Sequence, residues 1–409
     1  ALLLAFPKKR AYIALTSALV FVVSGIMPLS KVFYTIDWNV LMMITGTMGI
    51  VSLFIDSKMP SLLADLIIKK TSNLKWAIVA LSLFAGLISA FIDNVATVLI
   101  VAPIAVNISK KLIISPVPSI IAIAVSSNLQ GAATLVGDTT SILLGGYANL
   151  NFLQFFFVDG RIGIFWVVQV GAIAATGVLV YIMRKEKQEI KLFEKTRVDD
   201  VFPSFLLIGM VLLLIIASFL PNMPKTINGS ICVSIFAIGL IKELFRHNSI
   251  KAIKKPIKEI DYFTVLLLAS LFVVIGGISE AGLVTDISLL FVKASQHNIF
   301  LIYTLIVWVS VLLSAFIDNI PYVTTMLPVT AGIAGILGIE PNLLFFGLLI
   351  GATLGGNLTP IGASANVTAI GILRKEGYEV KTKDFMKIGL PFTLAAVTVG
   401  YILIWVIWS

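Results

Sequence analysis

Long apolar segments separated by short polar loops occupy almost the whole 409-residue chain. Segments of about 20 apolar residues are typical of membrane-spanning helices, because a helix of that length crosses the hydrocarbon core. A shorter segment, residues 60–70, mixes leucines at helical spacing with charged residues and predicts a helix at the membrane surface. The pattern therefore predicts an all-α polytopic membrane protein. The long apolar runs fall at residues 12–27, 40–55, 76–109, 119–147, 161–183, 202–220, 227–241, 263–279, 299–337, 343–373 and 388–408.

One polar hexapeptide occurs twice inside these runs. Residues 89–94 and 314–319 both read Ser-Ala-Phe-Ile-Asp-Asn, 225 positions apart (314 − 89). Asp93 and Asp318 are the sole charged residues of their apolar segments. A charge at bilayer depth costs about 2.5–3.5 kcal/mol, so each aspartate is expected to be functional. The structural alternative pairs each one with a Lys or Arg, and neither segment contains such a partner.

The surroundings of the two hexapeptides predict unusual membrane elements. Basic residues at positions 69–70 and 110–111 flank the first hexapeptide on both sides. A segment whose two ends lie on one side of the membrane is a re-entrant hairpin, here with its tip at the Asp-Asn pair. Residues 119–147 and 343–373 follow the two hairpins, and glycine-rich stretches interrupt each of them. Such a broken helix is tolerated only where it is buried in protein or lines a cavity.

The repeat divides the chain into two halves. Residues 1–183 form the first repeat, which we expect to lack its first helix, residues 184–201 form a charged linker, and residues 202–409 form the second repeat. With the loop around residue 8 in the cytoplasm, the crossings place four basic residues outside: Lys31, Arg161, Lys225 and Lys293. This bias is the positive-inside pattern. We therefore expect a cytoplasmic linker and two inverted-topology repeats, each with a re-entrant hairpin and a broken transmembrane helix.

Composition narrows the class of protein. Hydrophobic residues make up 58% of the chain, charged residues 12%, and the mean hydropathy is +1.04, which excludes a soluble enzyme. The formal net charge of +9 lies in loops between apolar runs, where it sets orientation and does not indicate nucleic-acid binding. The single cysteine, Cys232, excludes an intrachain disulfide and a thiolate metal cluster. We expect a protein embedded in the lipid bilayer of a prokaryotic inner or plasma membrane.

The two hairpin tips carry the first candidate binding residues. Turning the chain inside a membrane leaves backbone groups without partners, and asparagine side chains can satisfy them. The freed carbonyl oxygens and the aspartates suit Na⁺ or H⁺, because hard cations take oxygen ligands. The asparagines act either as turn formers or as ligands, and the sequence does not separate the two roles. The candidate Na⁺ ligands are Asp93, Asn94, Asp318 and Asn319, with Thr97 as a further binding residue in the first tip.

The two broken helices carry the second set of candidates. Their glycines allow close backbone approach, and their hydroxyls and half-helix N-termini suit a polar or anionic solute. We align the two stretches by placing Thr134 on Thr353. This alignment matches Asp138 to Asn357. Close helix packing is the alternative explanation for so many small residues. The candidates are Gly137, Asp138, Thr139, Thr140, Gly356, Asn357, Thr359, Ser364 and Asn366.

These motifs carry a family resemblance over nearly all of the chain. The most specific pieces are residues 91–94, 131–138, 316–321 and 355–366. With them the chain resembles the permease family that groups arsenite/antimonite efflux pumps, D-type sodium–proton antiporters and the melanosomal P protein. That family belongs to the ion transporter superfamily, together with the divalent-anion–sodium symporters.

The resemblance implies a homodimer in which hairpins and broken helices move as an elevator against a fixed scaffold. It also implies that hairpin tips and broken helices bind Na⁺, as in the symporter branch, with substrate between them. Residues 137–141 read Gly-Asp-Thr-Thr-Ser where many P-protein-like members read Gly-Asp-Pro-Pro-Asn. This departure leaves the substrate open.

Several transport functions compete. Secondary transport coupled to Na⁺ and/or H⁺, as cation–proton antiport, is the leading function, because the paired aspartates lie in a core that shows no Lys or Arg for a multivalent anion. Arsenite or antimonite efflux and Na⁺-coupled uptake of a carboxylate or other small anion are alternatives, and a channel is the alternative class. No Gly-x-x-x-x-Gly-Lys-Ser/Thr motif occurs, so an ATP-driven arsenite pump requires a separate ATPase subunit. We expect no enzymatic activity and no cofactor beyond the coupling ion.

Overall fold

The computed structural model describes residues 9–189 and 196–409. Those ranges contain 19 α-helices and one two-stranded hairpin, β1 (Phe157–Val158) with β2 (Arg161–Ile162). The helix expected ahead of the first apolar run, and residues 190–195 of the predicted linker, lie outside this description.

The helices of the first half follow the predicted apolar runs closely. They are α1 (Arg10–Val23), α2 (Leu29–Thr35), α3 (Trp38–Asp56), α4 (Met59–Ile68), α5 (Leu74–Ser89), α6 (Asn94–Leu112), α7 (Val117–Gly131), α8 (Thr139–Tyr147) and α9 (Ile164–Ile182).

The second half repeats this series after α10. Its helices are α10 (Phe202–Ser218), α11 (Ile227–His247), α12 (Ile250–Lys258), α13 (Tyr262–Glu280), α14 (Leu283–Ala294), α15 (Ile299–Ser314), α16 (Asn319–Leu337), α17 (Asn342–Gly355), α18 (Ser364–Lys375) and α19 (Thr382–Trp408).

The lengths and apolar composition of these helices confirm a polytopic membrane protein. Seven described helices are long and apolar enough to cross a bilayer, namely α3, α6, α9, α11, α13, α16 and α19. A bent pair, α14 with α15, passes the same test as one broken unit with a bend of 117°. The breaks fall where the sequence predicts them. Each hexapeptide separates two helices, and the glycine-rich stretches end α7 at Gly131 and α17 at Gly355.

The helix bounds keep the register of the hexapeptide. Adding 225 to the bounds of α5 gives 299–314, which is α15, and adding 225 to the bounds of α6 gives 319–337, which is α16. Hydrogen bonds recur at the same offset. The hydroxyl of Thr134 donates to the carbonyl oxygen of Ala90, and the hydroxyl of Thr359 donates to the carbonyl oxygen of Ala315. The two halves are therefore built from equivalent elements.

The same contacts correct the predicted alignment of the broken helices. The structure matches Thr134 to Thr359 (134 + 225), so Asp138 corresponds to Ala363 and not to Asn357. A second pair of contacts agrees, since Ser141 and Asn366 each donate to a glycine carbonyl oxygen ten residues earlier, both over 3.0 Å. The sequence alignment was wrong because it matched similar Gly-Asp-Thr and Gly-Asn-Leu-Thr strings. The carbonyl groups that the threonines must reach fix the true register.

The helices pack in two groups. In the first packing group (α1, α3, α10, α11 and α13), α1 packs on α13, and α3 packs on α11. The second packing group contains α5 to α9 and α15 to α19, where α8 packs on α16, and α18 packs on α6. Each half thus contributes helices to both groups. Between the groups, α13 contacts α16 and α3 contacts α8.

Candidate functional site

A cavity of about 410 Å³ lies where the two hexapeptides meet. It is lined by residues of both packing groups, among them the ends of α1, α3 and α13 from the first group. Seven of the predicted binding residues line it: Asp93, Asn94, Asp138, Thr139, Asp318, Asn319 and Ser364. The repeat therefore brings together residues that lie up to 271 positions apart (364 − 93).

Each of the three aspartates caps a helix. One carboxylate oxygen of Asp93 accepts hydrogen bonds from the backbone N–H groups of Val95 and Ala96, over 3.0 and 3.1 Å. Asp318 accepts from the N–H of Ile320 over 3.1 Å in the equivalent turn. Aspartate is a preferred N-cap, and the positive end of the helix dipole stabilises its charge. The capping role explains how a carboxylate is tolerated at this depth.

Asp138 caps the second half of the first broken helix. Its carboxylate accepts from the N–H of Thr139 over 2.7 Å and from the hydroxyl of Thr140 over 3.1 Å. The equivalent N-cap of α18 is Ala363, which offers no side-chain cap. The two halves are therefore chemically different at this position, although their backbones correspond.

Arg10 forms an ion pair with Asp318, which corrects two predictions. The aspartate has a basic partner, and the cavity at the hairpin tips does contain an arginine. The partner lies on α1, 308 positions away in the sequence, so inspection of the apolar segment around Asp318 could not reveal it. The hydroxyl of Ser364 lies 3.4 Å from the same carboxylate oxygen.

Two further carboxylates in the cavity were missed by the sequence reasoning. Glu259 accepts a hydrogen bond from the hydroxyl of Ser52, and Asp261 caps α13 through the N–H of Thr264 over 3.0 Å. Both acids are exposed, so the cavity reaches the protein surface. In the sequence they follow a run of lysines and resemble ordinary loop charges. The only available signal was their position at the start of an apolar run.

An amide network beneath the cavity holds the two halves together. The amide nitrogen of Asn94 donates to the side-chain oxygen of Asn128 over 2.9 Å. Asn128 donates to the carbonyl oxygen of Thr353 over 2.7 Å and to the side-chain oxygen of Asn357 over 3.1 Å. Asn128 and Asn357 are fully buried. Asn94 thus supports the turn while also lining the cavity, whereas Asn357 does not line the cavity and its binding role stays a prediction.

The remaining predicted residues support the site without lining this cavity. Thr97 donates to the carbonyl of Asp93 over 3.1 Å, and Asn366 donates to the carbonyl oxygens of Gly356 and Thr359 over 3.0 and 3.1 Å. The hydroxyl of Thr140 lies 3.0 Å from that of Thr353 across the two halves.

Gly137 is required by close backbone contact. A Cβ at this position would lie 2.7 Å from the carbonyl oxygen of Gly131, and the equivalent distance from Gly362 to Gly356 is 2.5 Å. Both lie below any distance that a real Cβ tolerates. The close packing proposed for the small residues is therefore correct at these two glycines.

A second and larger cavity, of about 740 Å³, lies at the other end of the same helices. It is lined by Asp37 and Trp38 at the start of α3, whereas the smaller cavity is lined by Ser52 and Ile55 near its end. Its lining shares no residue with the smaller cavity and includes none of the predicted binding residues. Size alone would select it, but the convergent carboxylates make the smaller cavity the candidate site.

No group of three or more His, Cys, Asp or Glu side chains in the described part of the chain is arranged to hold a metal ion. Sodium is bound by carbonyl and hydroxyl oxygens as well as carboxylates, so the predicted Na⁺ ligands stay a prediction. The carbonyl oxygens of Ala90 and Ala315, at the ends of α5 and α15, already accept from threonine hydroxyls.

The chain is similar to known proteins over nearly its whole length. Residues 1–351 match the CitMHS family, described as citrate transporter. An uncharacterized transporter of Mycobacterium tuberculosis is 31% identical over 412 residues, covering 97% of this chain and 93% of the relative. The human P protein is 25% identical over 449 residues, covering 91% of this chain and 54% of that protein.

Two solved structures share the fold. The YdaH transporter of Alcanivorax borkumensis superposes with a TM-score of 0.63 at 15% identity, covering 99% of this chain and 97% of that chain. MtrF of Neisseria gonorrhoeae, described as illuminating a class of antimetabolite efflux pumps, gives a TM-score of 0.55 at 14% identity, covering 98% and 83%. The P protein match supports that part of the resemblance, whereas the arsenite and D-type antiporter branches stay predictions.

Proposed function

The chain belongs to the CitMHS family, described as citrate transporter, and is a membrane transporter; we propose that it is secondary-active and coupled to Na⁺ and/or H⁺. The observation that carries the proposal is the convergence of Asp93, Asp138 and Asp318 on one cavity. With Glu259 and Asp261, five carboxylates and one guanidinium line this space. A lining of that charge favours a small cation.

Coupling follows from competition at the carboxylates. Acidic groups that share a desolvated space repel one another, and either a bound Na⁺ or a proton relieves the repulsion. Binding of Na⁺ therefore favours proton release, and protonation favours Na⁺ release. Cation–proton antiport needs no further groups.

The packing supports an elevator. The carboxylates of the hairpin tips belong to the second packing group, and the first group supplies the opposite wall of the cavity. Two separate cavities, at opposite ends of α3, suit a site that is exposed to each side in turn. By the charge-derived topology, the smaller cavity opens to the cytoplasm. We further propose inverted repeats, re-entrant hairpins, a homodimer, and residence in a prokaryotic inner membrane with residues 184–201 cytoplasmic.

The proposal is tested by ²²Na⁺ flux in proteoliposomes with and without an imposed pH gradient. We expect uptake of ²²Na⁺ to rise when the gradient drives protons in the opposite direction, and to fall when the gradient is collapsed. Saturable ²²Na⁺ uptake that is the same with and without the imposed pH gradient would contradict ion-coupled secondary transport. Passive flux that is linear in concentration would indicate a channel.

Carboxylate transport is the second candidate, and a specific observation favours it. The N-terminus of α18 has no side-chain cap, and Arg10 lies in the same cavity as Ser364, the first residue of that helix. A helix N-terminus and a guanidinium both bind carboxylates. Uptake of radiolabelled citrate in the same vesicles, with and without Na⁺, separates this function from antiport. Arsenite efflux, with or without an ATPase subunit, is tested by including arsenite as a third solute.

A further inference from the structure

The ion pair between Arg10 and Asp318 connects the two packing groups. Arg10 begins α1 in the first group, and Asp318 caps α16 in the second. Two other ion pairs do not link the two packing groups. Lys31–Glu280 joins α2 to α13, and Lys110–Glu376 joins α6 to the residue that follows α18. The Arg10–Asp318 pair therefore opposes any displacement of one group against the other at this point.

The pair also occupies one of the carboxylates proposed to bind the coupling cation. Arginine keeps its charge under all physiological conditions, so Arg10 pairs with Asp318 whenever that carboxylate is ionised and no other cation replaces it. The side chains of Arg10 and Asp318 are 16% and 22% exposed. An incoming ion from the open cavity can therefore reach the carboxylate.

The guanidinium is not fully satisfied in this position. Its Nε is buried without a hydrogen-bond partner among the described residues. A partly buried ion pair gains Coulomb energy but loses hydration, and unmet donors leave part of that loss uncompensated. The unmet donor lowers the stability of the pair, which favours its exchange for a small cation.

We propose that Arg10 is a latch: it ties the second packing group to the first through Asp318 and is displaced when Na⁺ binds that carboxylate. The latch rests on the proposed ion-coupled elevator and explains how movement without the ion is prevented. An empty transporter is held by Arg10, and an ion-loaded one is released. Arg10 acts through Asp318 and is a positioning residue.

The test uses the full chain in proteoliposomes, with a reporter cysteine that lines the cavity. Ala96→Cys in a Cys232→Ser background places a thiol in the smaller cavity, and Cys232 itself is buried. A membrane-impermeant maleimide is added in Na⁺-free choline buffer at the face opposite the mouth of that cavity. We expect Arg10→Gln to raise the labelling rate about fivefold or more, the usual range for coupling between two sites. Arg10→Lys should restore slow labelling.

Lys9→Gln is the matched control, since it removes an equal charge from the exposed neighbouring residue outside the cavity. Asp318→Asn breaks the pair from the other side and should raise labelling as Arg10→Gln does. The double variant should match either single variant, because both remove the same interaction. If Arg10→Gln does not fold, Asp318→Asn and Arg10→Lys decide the question.

Binding of ²²Na⁺ to purified protein tests the displacement. Arg10→Gln removes the competitor and should tighten binding about fivefold or more. Labelling equal to the parent, or ²²Na⁺ affinity equal to the parent, overturns the latch. The labelling assay needs neither substrate nor ion, so it tests the latch whether or not the parent protein shows cation-coupled flux. Absence of that flux in the parent protein would refute the proposed function and not the latch.

Discussion

The side-chain amide of Asn128 donates to the backbone carbonyl of Thr353 over 2.7 Å, and these two residues are 225 positions apart. They are therefore equivalent residues of the two halves. The two halves therefore meet at this contact, which belongs to the amide network formed by Asn94, Asn128 and Asn357. The candidate site lies next to this network, since Asn94 lines the cavity and donates to Asn128.

The first prediction concerns the amide network. Asn128→Ala leaves the side chains of Asn94 and Asn357 without their buried partner, and each unmet polar group costs about 1–3 kcal/mol. We expect a clear fall in the thermal unfolding midpoint of the detergent-solubilised protein. Gln188→Ala, at an exposed amide, is the control and should leave the midpoint unchanged. Equal stability of both variants would show that the network is not needed to hold the halves together.

The second prediction concerns charge at the hairpin tips. Asparagine is also a good N-cap, so Asp93→Asn and Asp318→Asn keep the hydrogen bonds to Val95, Ala96 and Ile320 while losing the charge. We expect folding to be preserved and apparent Na⁺ affinity in the flux assay to fall at least about 100-fold, since even indirect supports of an ion site cost 10–100-fold.

The exposed Asp286→Asn is the matched control for these two variants and should transport normally. The pH dependence of any residual flux should flatten in the two tip variants. Normal transport with an unchanged pH profile in both would make the tip aspartates purely structural caps.

The third prediction concerns the close backbone contacts of the broken helices. In Gly137→Ala and Gly362→Ala the new methyl group meets backbone oxygens at 2.5–3.0 Å, and backbone cannot move aside cheaply. Overpacking of this kind costs about 1–3 kcal/mol or more. Gly371→Ala is the control, because a Cβ there has nothing within 4 Å. Thermal unfolding should separate the first two variants from the third, and equal midpoints would refute the contacts.

The fourth prediction tests the 225-residue register of the broken helices. Thr134→Val and Thr359→Val each remove the hydroxyl that bonds a helix-ending carbonyl group. Because the contacts are equivalent, each should cost about 1 kcal/mol, and the two losses should be similar. Thr325→Val, whose hydroxyl bonds within its own helix, should cost less. A large effect at Thr134 with none at Thr359 would contradict the equivalence.

The fifth prediction separates the two candidate functions. Ala363→Asp gives α18 the carboxylate cap that Asp138 gives α8. The added charge should abolish citrate uptake if an anion binds at this N-terminus. Antiport of Na⁺ should survive with altered affinity, because the cavity becomes more acidic. Loss of ²²Na⁺ flux together with unchanged citrate uptake would reverse the assignment.

Sequence alone determined the class of the protein and the positions of its helix breaks. Apolar runs of bilayer length define membrane helices whatever surrounds them, and an Asp-Asn pair or a glycine-rich stretch within such a run must interrupt it. Both α5 and α15 end at the first residue of the repeated hexapeptide. The tip aspartates were identified for the same reason, since an isolated charge in an apolar run is conspicuous.

Only the tertiary structure decided which residues share the site. Arg10, Glu259 and Asp261 lie at helix ends, where charge is ordinary, and they reach the cavity because α1 packs on α13 and both reach the tip of α16. The register of the broken helices depended on which carbonyl each threonine reaches. The hydrogen bond from Asn128 to Asn357, which joins the two halves, was also visible only in the tertiary structure. Contacts between residues more than 200 positions apart depend on packing, and no local pattern encodes them.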